Sequence, residues 1–150
     1  MLTIDRIYIL LHLRKARVDY AGMISKLTGL PLNRINENLN YLMEMGLVKR
    51  DSGSAIKRSR AKFKKAHEVH KHHTYYRLTR RGKLLARKIA EEIDRVIDEI
   101  AGDGSYNYVV ELSRKGKLTE VPGCLKELGF ITESGKKTKF FEAFSYVAGI

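Results

Sequence analysis

Apolar residues recur at helical period three times before residue 46. Ile4, Ile7, Tyr8 and Leu11 form one stripe, widened by Leu10 and Leu13. They predict a helix from an N-cap at Thr3, with Asp5 in its first turn, to about Lys15. Asp19 reads as the cap of a second helix with the stripe Tyr20, Ile24 and Leu27, ended by Gly29. The third helix spans Pro31 to Met45 and turns Ile35, Leu39 and Leu42 inward. Its other face carries Asn33, Glu37, Asn40, Tyr41 and Glu44, flanked by Asn36 and Arg34. Gly46 stands where a C′ glycine stops a helix. The pattern then changes. Leu47 to Arg50 and Thr74 to Leu78 are short runs of aliphatic and aromatic residues, which predict strands.

Thr79 reads as the cap of a fourth helix running to about Ala101, with Leu85, Ile89, Ile93, Val96 and Ile100 on one face. Glu91, Glu92, Arg95, Asp98 and Glu99 make its other face a solvated charge run. Such a helix is about 33 Å long at 1.5 Å per residue. That is more than a small domain covers, so its far end should pack on a second subunit or on the C-terminal segment. Gly102-Asp103-Gly104 breaks the chain. Beyond it, Leu125 to Ile131 echoes Leu42 to Val48, both reading helix end, glycine, strand. Gly135-Lys136-Lys137 predicts a tight turn into a strand over Lys139 to Val147. The tail is readable as a degenerate second winged helix, with the end of helix four as its first helix. It is too small to be stable without docking on the rest.

Charge changes the picture next. The net charge of +12 is not spread evenly. Residues 49–88 hold fifteen Lys/Arg against two Asp/Glu, while 1–48 are nearly balanced and 89–150 are slightly acidic. A localised basic block implies a polyanion partner, and nucleic acid is the default one. The block lacks the matching apolar face that would insert into an anionic membrane. No stretch approaches the roughly 20 apolar residues of a membrane span. The first residues lack a secretory pattern, and the lone Cys124 fits a reducing, cytoplasmic setting. The absence of Gln and Trp beside 31% charged residues leans towards a thermophile.

The order helix, helix, turn, helix, strand, basic excursion, strand is that of a winged helix-turn-helix. The chain resembles the winged-helix transcription regulators of the MarR and ArsR type. The matching runs are Ile24-Ser25-Lys26-Leu27-Thr28-Gly29-Leu30, then Leu39 to Val48, then Tyr76-Arg77-Leu78-Thr79-Arg80-Arg81-Gly82-Lys83-Leu84. They fall in the family's order over roughly the first 100 residues. The run from His67 to Tyr76 also resembles a motif of an uncharacterised archaeal winged-helix family, which brings no established activity. The chain departs from the regulators in its wing: 22 residues separate Arg50 from His73, where hairpin loops are usually 2–5 long. A short helix over 61–70 and a long hairpin fit this segment equally.

The candidate chemistry is recognition rather than catalysis. On helix three, Asn33, Asn36 and Asn40 are placed to present donor–acceptor pairs to base edges, with Glu37 and Tyr41 beside them. Asn is a poor helix former, so a plain solvated face would more often use Glu or Lys; Asn38 adds a fourth. Arg34 suits guanine or a phosphate. The candidate backbone contacts are Arg34, Lys57, Arg58, Arg60, Lys62, Lys64, Lys65 and Lys71. Cations at this density repel one another and need a compensating anion. His67, His70, His72 and His73 invite zinc, but neither a strand nor a helix brings all four together, and no cysteine or carboxylate pattern completes a site. Histidines at the base of a basic wing are the plainer reading. Cys124 has no His near it and reads as a packed or free thiol, and no serine elbow, phosphate-cradling loop or metal-binding helix is present in the sequence, which predicts no enzyme activity, no cofactor and no metal.

The expectation is therefore a mainly α chain with small β hairpins (α+β). A winged-helix DNA-binding domain takes 1–80, a linking or dimerisation helix 80–101, and a small C-terminal α/β appendix 104–150. Its function is expected to be sequence-specific binding of double-stranded DNA, as a cytoplasmic homodimeric transcriptional regulator. Helix 31–45 would enter the major groove and the wing over 52–72 would ride the phosphates. The rivals are a charge-driven RNA-binding or nucleoprotein factor, and a protein-interaction module with a basic wing.

Overall fold

The computed structural model describes residues 1–51 and 73–150. Those residues are mainly helical, with one small antiparallel sheet. The elements are α1 (Ile4–Ala16), β1 (Val18–Tyr20), α2 (Ala21–Thr28), α3 (Leu32–Glu44), β2 (Val48–Arg50) and β3 (Tyr75–Leu78). They continue with α4 (Arg80–Glu91), α5 (Ile93–Ala101), α6 (Ser105–Lys115), α7 (Gly123–Glu127) and α8 (Lys139–Ala148). The sheet order is β1-β3-β2.

Helix α1 is the central element. Nearly its whole length from Ile4 to Leu13 is buried, because α3, α4 and α8 all pack around it. A helix buried all round loses the one-sided stripe expected of a surface helix. The buried cluster runs without a break from Ile4 to Val147, so the tail docks on the same core as the N-terminal helices. Phe130, Phe140, Phe141 and Phe144 pack ring against ring, and Phe140 meets Tyr8 edge-on at 5.7 Å between centroids.

Four sequence expectations are corrected here. Asp19 does not cap α2. It lies in β1, a strand the sequence pattern did not reveal, and Tyr20 is the N-cap residue without a side-chain bond. Asp19 instead ends a buried chain: Tyr8 Oη lies 2.8 Å from His12 Nδ1, and His12 Nε2 lies 2.7 Å from Asp19 Oδ2. Leu27, expected inward, is 45% exposed. The long fourth helix is two helices, broken at Glu92, whose φ of −116° and ψ of 33° leave the helical region. Lys139 to Val147 is not a strand. Thr138 caps it by accepting from Phe141 N at 3.1 Å, and Phe140, Phe141, Phe144 and Val147 fall on one buried helical face.

The echo between Leu42–Val48 and Leu125–Ile131 holds for the helix end and the glycine, whereas Ile131 makes a single bridge where Val48 opens a strand. Met45 and Leu128 close their helices in the right-handed region, and Gly46 and Gly129 follow at φ 74° and 77°. A left-handed φ of this kind is where glycine is favoured. Leu47 N donates to Leu42 O and Phe130 N to Leu125 O, both at 2.9 Å. Thr79 N donates to Leu47 O and Thr138 N to Phe130 O, both at 3.0 Å. The Thr79 hydroxyl donates to Gly46 O at 2.7 Å, and that of Thr138 to Gly129 O at 2.6 Å. The pairing pattern matches as well, although the pairs of the tail are isolated bridges and not strands. Val18 faces Arg77 and Val48 faces Leu78; in the tail Lys117 faces Lys136 and Ile131 faces Lys137. The helix before the first of these pairs ends on a positive φ in both places, at Arg17 and at Gly116. In this correspondence the tail element that matches α1 is α6, not the end of helix four as expected. A tight turn, closed by Gly135 N to Thr132 O at 2.9 Å, stands where the first copy has the segment 52–72.

Candidate nucleic-acid interface

Helix α3 starts at Leu32 because Pro31, held near φ −58°, supplies the turn before it and needs no backbone donor. Ile35, Leu39 and Leu42 are fully buried and fix which face turns out. Asn33, Glu37 and Asn40 lie exposed on the outward face, with Asn36 half-buried at its edge. None of these four side chains makes a hydrogen bond or ion pair among the described residues. The N-terminal end of the face is continued by the exposed Leu32.

The other two polar residues of interest on α3 are engaged. Arg34 grips Asp5 on α1 with two parallel bonds, Nε to Oδ2 at 2.5 Å and Nη2 to Oδ1 at 2.9 Å. Tyr41 takes the Arg6 guanidinium over its ring at 3.5 Å, and its hydroxyl meets the amino group of Met1. Asn38 belongs inside. Its amide donates to Arg34 O at 2.9 Å and its oxygen accepts from Arg6 Nε at 3.0 Å. Asn38 therefore knits α1 to α3, and its place among the exposed asparagines is corrected. The signal that separated it from the others was its position beside Leu39 and Leu42, on the inward half of the helix.

Lys57, Arg58, Arg60, Lys62, Lys64, Lys65 and Lys71 lie outside the described residues, as do His67, His70 and His72. His73 is described and exposed. Its ring stacks on Tyr20 at 4.0 Å between centroids, 19° from parallel. Tyr75, packed edge-on against Tyr20, has its hydroxyl pKa raised, first by burial and then by the Tyr20 and Asp19 charges. No group of three or more metal-ligating side chains occurs among the described residues.

Sequence reasoning missed a second basic feature. Arg14 and Arg17 at the end of α1, Arg77 on β3, and Lys83 and Arg87 on α4 line one cleft of about 460 Å³. Asp51 is its one acid, 3.6 Å from Arg77. These residues are far apart in sequence, and the packing of α1 on α4 together with the pairing of β1 with β3 brings them together. Gly82 permits the close approach of α4: a Cβ there would stand 2.0 Å from Leu47 O. The exposed Lys49 and Arg50 on β2 pair with Arg77 and Tyr76 of β3, and lead directly into residues 52–72.

No helix among the described residues is long and apolar enough to cross a membrane. No curated protein matches the chain. Residues 2–89, from the first turn of α1 to near the end of α4, match DUF2250, a family described as an uncharacterised protein conserved in archaea. That match spans more than half of the chain and takes in α3, the sheet and the segment 52–72, so the protein belongs to this archaeal family.

Proposed function

We propose that this protein binds double-stranded DNA as a winged helix-turn-helix regulator, with α3 in the major groove and residues 52–72 as the wing. The observation that carries the reading is the division of labour among the asparagines of α3. Asn38 is buried and bonded, whereas Asn33, Asn36 and Asn40 are spent on an outward face where helix propensity disfavours them. Side chains of this type read adenine by a paired donor and acceptor. The cations supply affinity without sequence information. The wing cations Lys57, Arg58, Arg60, Lys62, Lys64, Lys65 and Lys71 contact phosphate in this reading, and the cleft of Arg14, Arg17, Lys83 and Arg87 extends the basic surface.

The active form proposed is a homodimer. Ile89, Ile93 and Ile97 are already buried within one chain, but Leu2, Leu85, Val96 and Ile100 line an open groove of about 380 Å³ on α4 and α5. Sedimentation at the 17.2 kDa monomer mass at tens of micromolar would remove the dimer from the account.

A specific observation favours a second reading, charge-driven binding of RNA or DNA without base readout. Arg34, the one cation of α3, is held by Asp5 and is not poised over a groove. The test of charge-driven contact is the salt dependence of duplex binding. Replacing Lys62, Lys64 and Lys65 with Ala should flatten the slope of log K against log salt by about 3. An unchanged slope would mean that these lysines do not touch phosphate. Competition by structured RNA as strong as by duplex DNA would favour the second reading.

A further inference from the structure

Arg17 is the one residue other than glycine with a positive φ among the described residues, at φ 72° and ψ −49°. These angles lie close to the rare, strained γ-turn conformation, which a side chain adopts only at a cost. Glycine solves the same joint without that cost. The matching position in the tail is Gly116, at φ 79°. The Arg17 side chain is exposed and makes no hydrogen bond or ion pair among the described residues. It therefore does not hold the joint together. Strain kept at such a residue is characteristic of a side chain that serves a ligand.

Arg17 lines the basic cleft of about 460 Å³ between α1, the sheet and α4. The strand pairing sets Val18 directly opposite Arg77, so Arg17 is the chain neighbour of the residue that faces Arg77. Arg14 lies one helical turn before Arg17, and Lys83 and Arg87 lie one turn apart on α4. Five cations thus share one cleft with a single carboxylate, that of Asp51, buried 3.6 Å from Arg77. Arg87 also approaches the exposed Glu91 at 3.8 Å. Arg14, Arg17 and Lys83 have no counter-ion among the described residues. No aromatic ring lines the cleft, so it offers no face on which a base would stack. Guanidinium groups take phosphate oxygens two at a time, and lysines add point charges. A lone monoanion would leave most of this charge uncompensated.

We propose that this cleft is a binding site for a run of two or more linked phosphate groups, and that Arg17 is held in its strained conformation to meet one of them beside Arg77. The remaining cations of α1 and α4 take the rest of the run. Such a run occurs in a free oligophosphate and in the backbone of a nucleic acid. The site stands on the cleft alone and does not require α3 to read bases. A backbone occupant would deepen the DNA-binding reading; a free oligophosphate would be a separate ligand.

The probe is tripolyphosphate, titrated into the full chain without DNA and followed by calorimetry and amide chemical shifts. The expected result is a saturable event with shifts at the α1–β1 joint, β3 and the first turns of α4. Sulfate at equal ionic strength should bind at least about tenfold more weakly. Arg17→Gly should weaken tripolyphosphate at least about tenfold, while the thermal midpoint stays level or rises because glycine accepts this φ. Lys83→Ala should weaken it as well. Lys126→Ala, at an exposed lysine paired with Glu133 in the tail, should not. Joint replacement of Lys62, Lys64 and Lys65 with Ala should leave the event in place. Absence of saturable binding would overturn the proposal. So would an event untouched by Arg17→Gly, or one lost with Lys62, Lys64 and Lys65. A fall in the thermal midpoint of Arg17→Gly would also overturn it, since Arg17 would then serve the fold. Duplex binding by Arg17→Gly separates the two sources. A slope of log K against log salt flattened by about 1 assigns the cleft to backbone phosphate. An unchanged slope beside weakened tripolyphosphate binding assigns it to a free oligophosphate.

Discussion

Asp5 and Arg34 join α1 to α3 through a two-pronged ion pair, with Asp5 buried and Arg34 half exposed. The pair ties α3 to α1 in the rotation that its buried Ile35, Leu39 and Leu42 define. It also withdraws the one arginine of that helix from the surface it would otherwise serve. Removing the guanidinium leaves the buried carboxylate with only the weaker approach of the Asn38 amide at 3.5 Å. Arg34→Ala should therefore destabilise the fold by about 1–2 kcal/mol, the loss being tempered by the exposure of Arg34. Urea unfolding measures it. A stability unchanged from the parent would show that the pair does not hold α3.

The two matching helix–glycine joints make a paired prediction. Thr79→Ala and Thr138→Ala each remove a helix cap and a bond to a glycine carbonyl, and each should cost about 1–2 kcal/mol. Gly46→Ala and Gly129→Ala each force a side chain into a left-handed φ and should cost about 1–2 kcal/mol. Because all four positions feed one buried cluster, the tail variants should lower the same single unfolding transition as the N-terminal ones. Separate transitions for the two halves would contradict a shared core.

Much of the N-terminal order was legible because α2 and α3 end on glycine signals and Thr79 on a cap signal. Gly29, Gly46 and Thr79 all act as their positions predicted. The sheet was half legible. Strand β1 is three residues long and reads Val-Asp-Tyr, too short for any alternation to register, so by sequence alone Asp19 reads as a cap. The tail helix α8 misled through its aromatic residues. Phe140, Phe141 and Phe144 carry strand propensity, but their spacing suits one helical face, and burial against Phe130 and Tyr8 decides in its favour. At the candidate interface, Asn33, Asn36 and Asn40 were legible from periodicity alone. The engagement of Arg34 was not, because its partner lies on another helix.

Alkaline pH offers a check on the buried chain of α1. Burial, and secondarily the Asp19 charge, raise the Tyr8 hydroxyl well above its usual range. Unfolded tyrosine ionises near pH 10. Above that pH the unfolded chain loses this proton while folded Tyr8 keeps it, so stability falls as pH rises. The contribution is complete below about pH 10. Tyr8→Phe should lower stability at neutral pH by about 1 kcal/mol through the lost bond to His12. It should also remove up to about 1.4 kcal/mol per pH unit from the alkaline slope. Parallel slopes for the two chains above pH 10 would show that Tyr8 is not held neutral by the fold.

The central claim is that α3 reads bases, and the most direct measurement is binding of the single Asn33→Ala, Asn36→Ala and Asn40→Ala variants to selected and to random duplexes. The selected duplexes come from enrichment with the parent chain. These side chains have no bonds within the described residues, so their truncation should leave the fold intact. Each should cost about 1–3 kcal/mol on the selected duplex at one base position, with affinity for random duplex nearly unchanged. If all three bind selected and random duplexes with the parent's preference, α3 does not read bases, and the charge-driven reading takes its place.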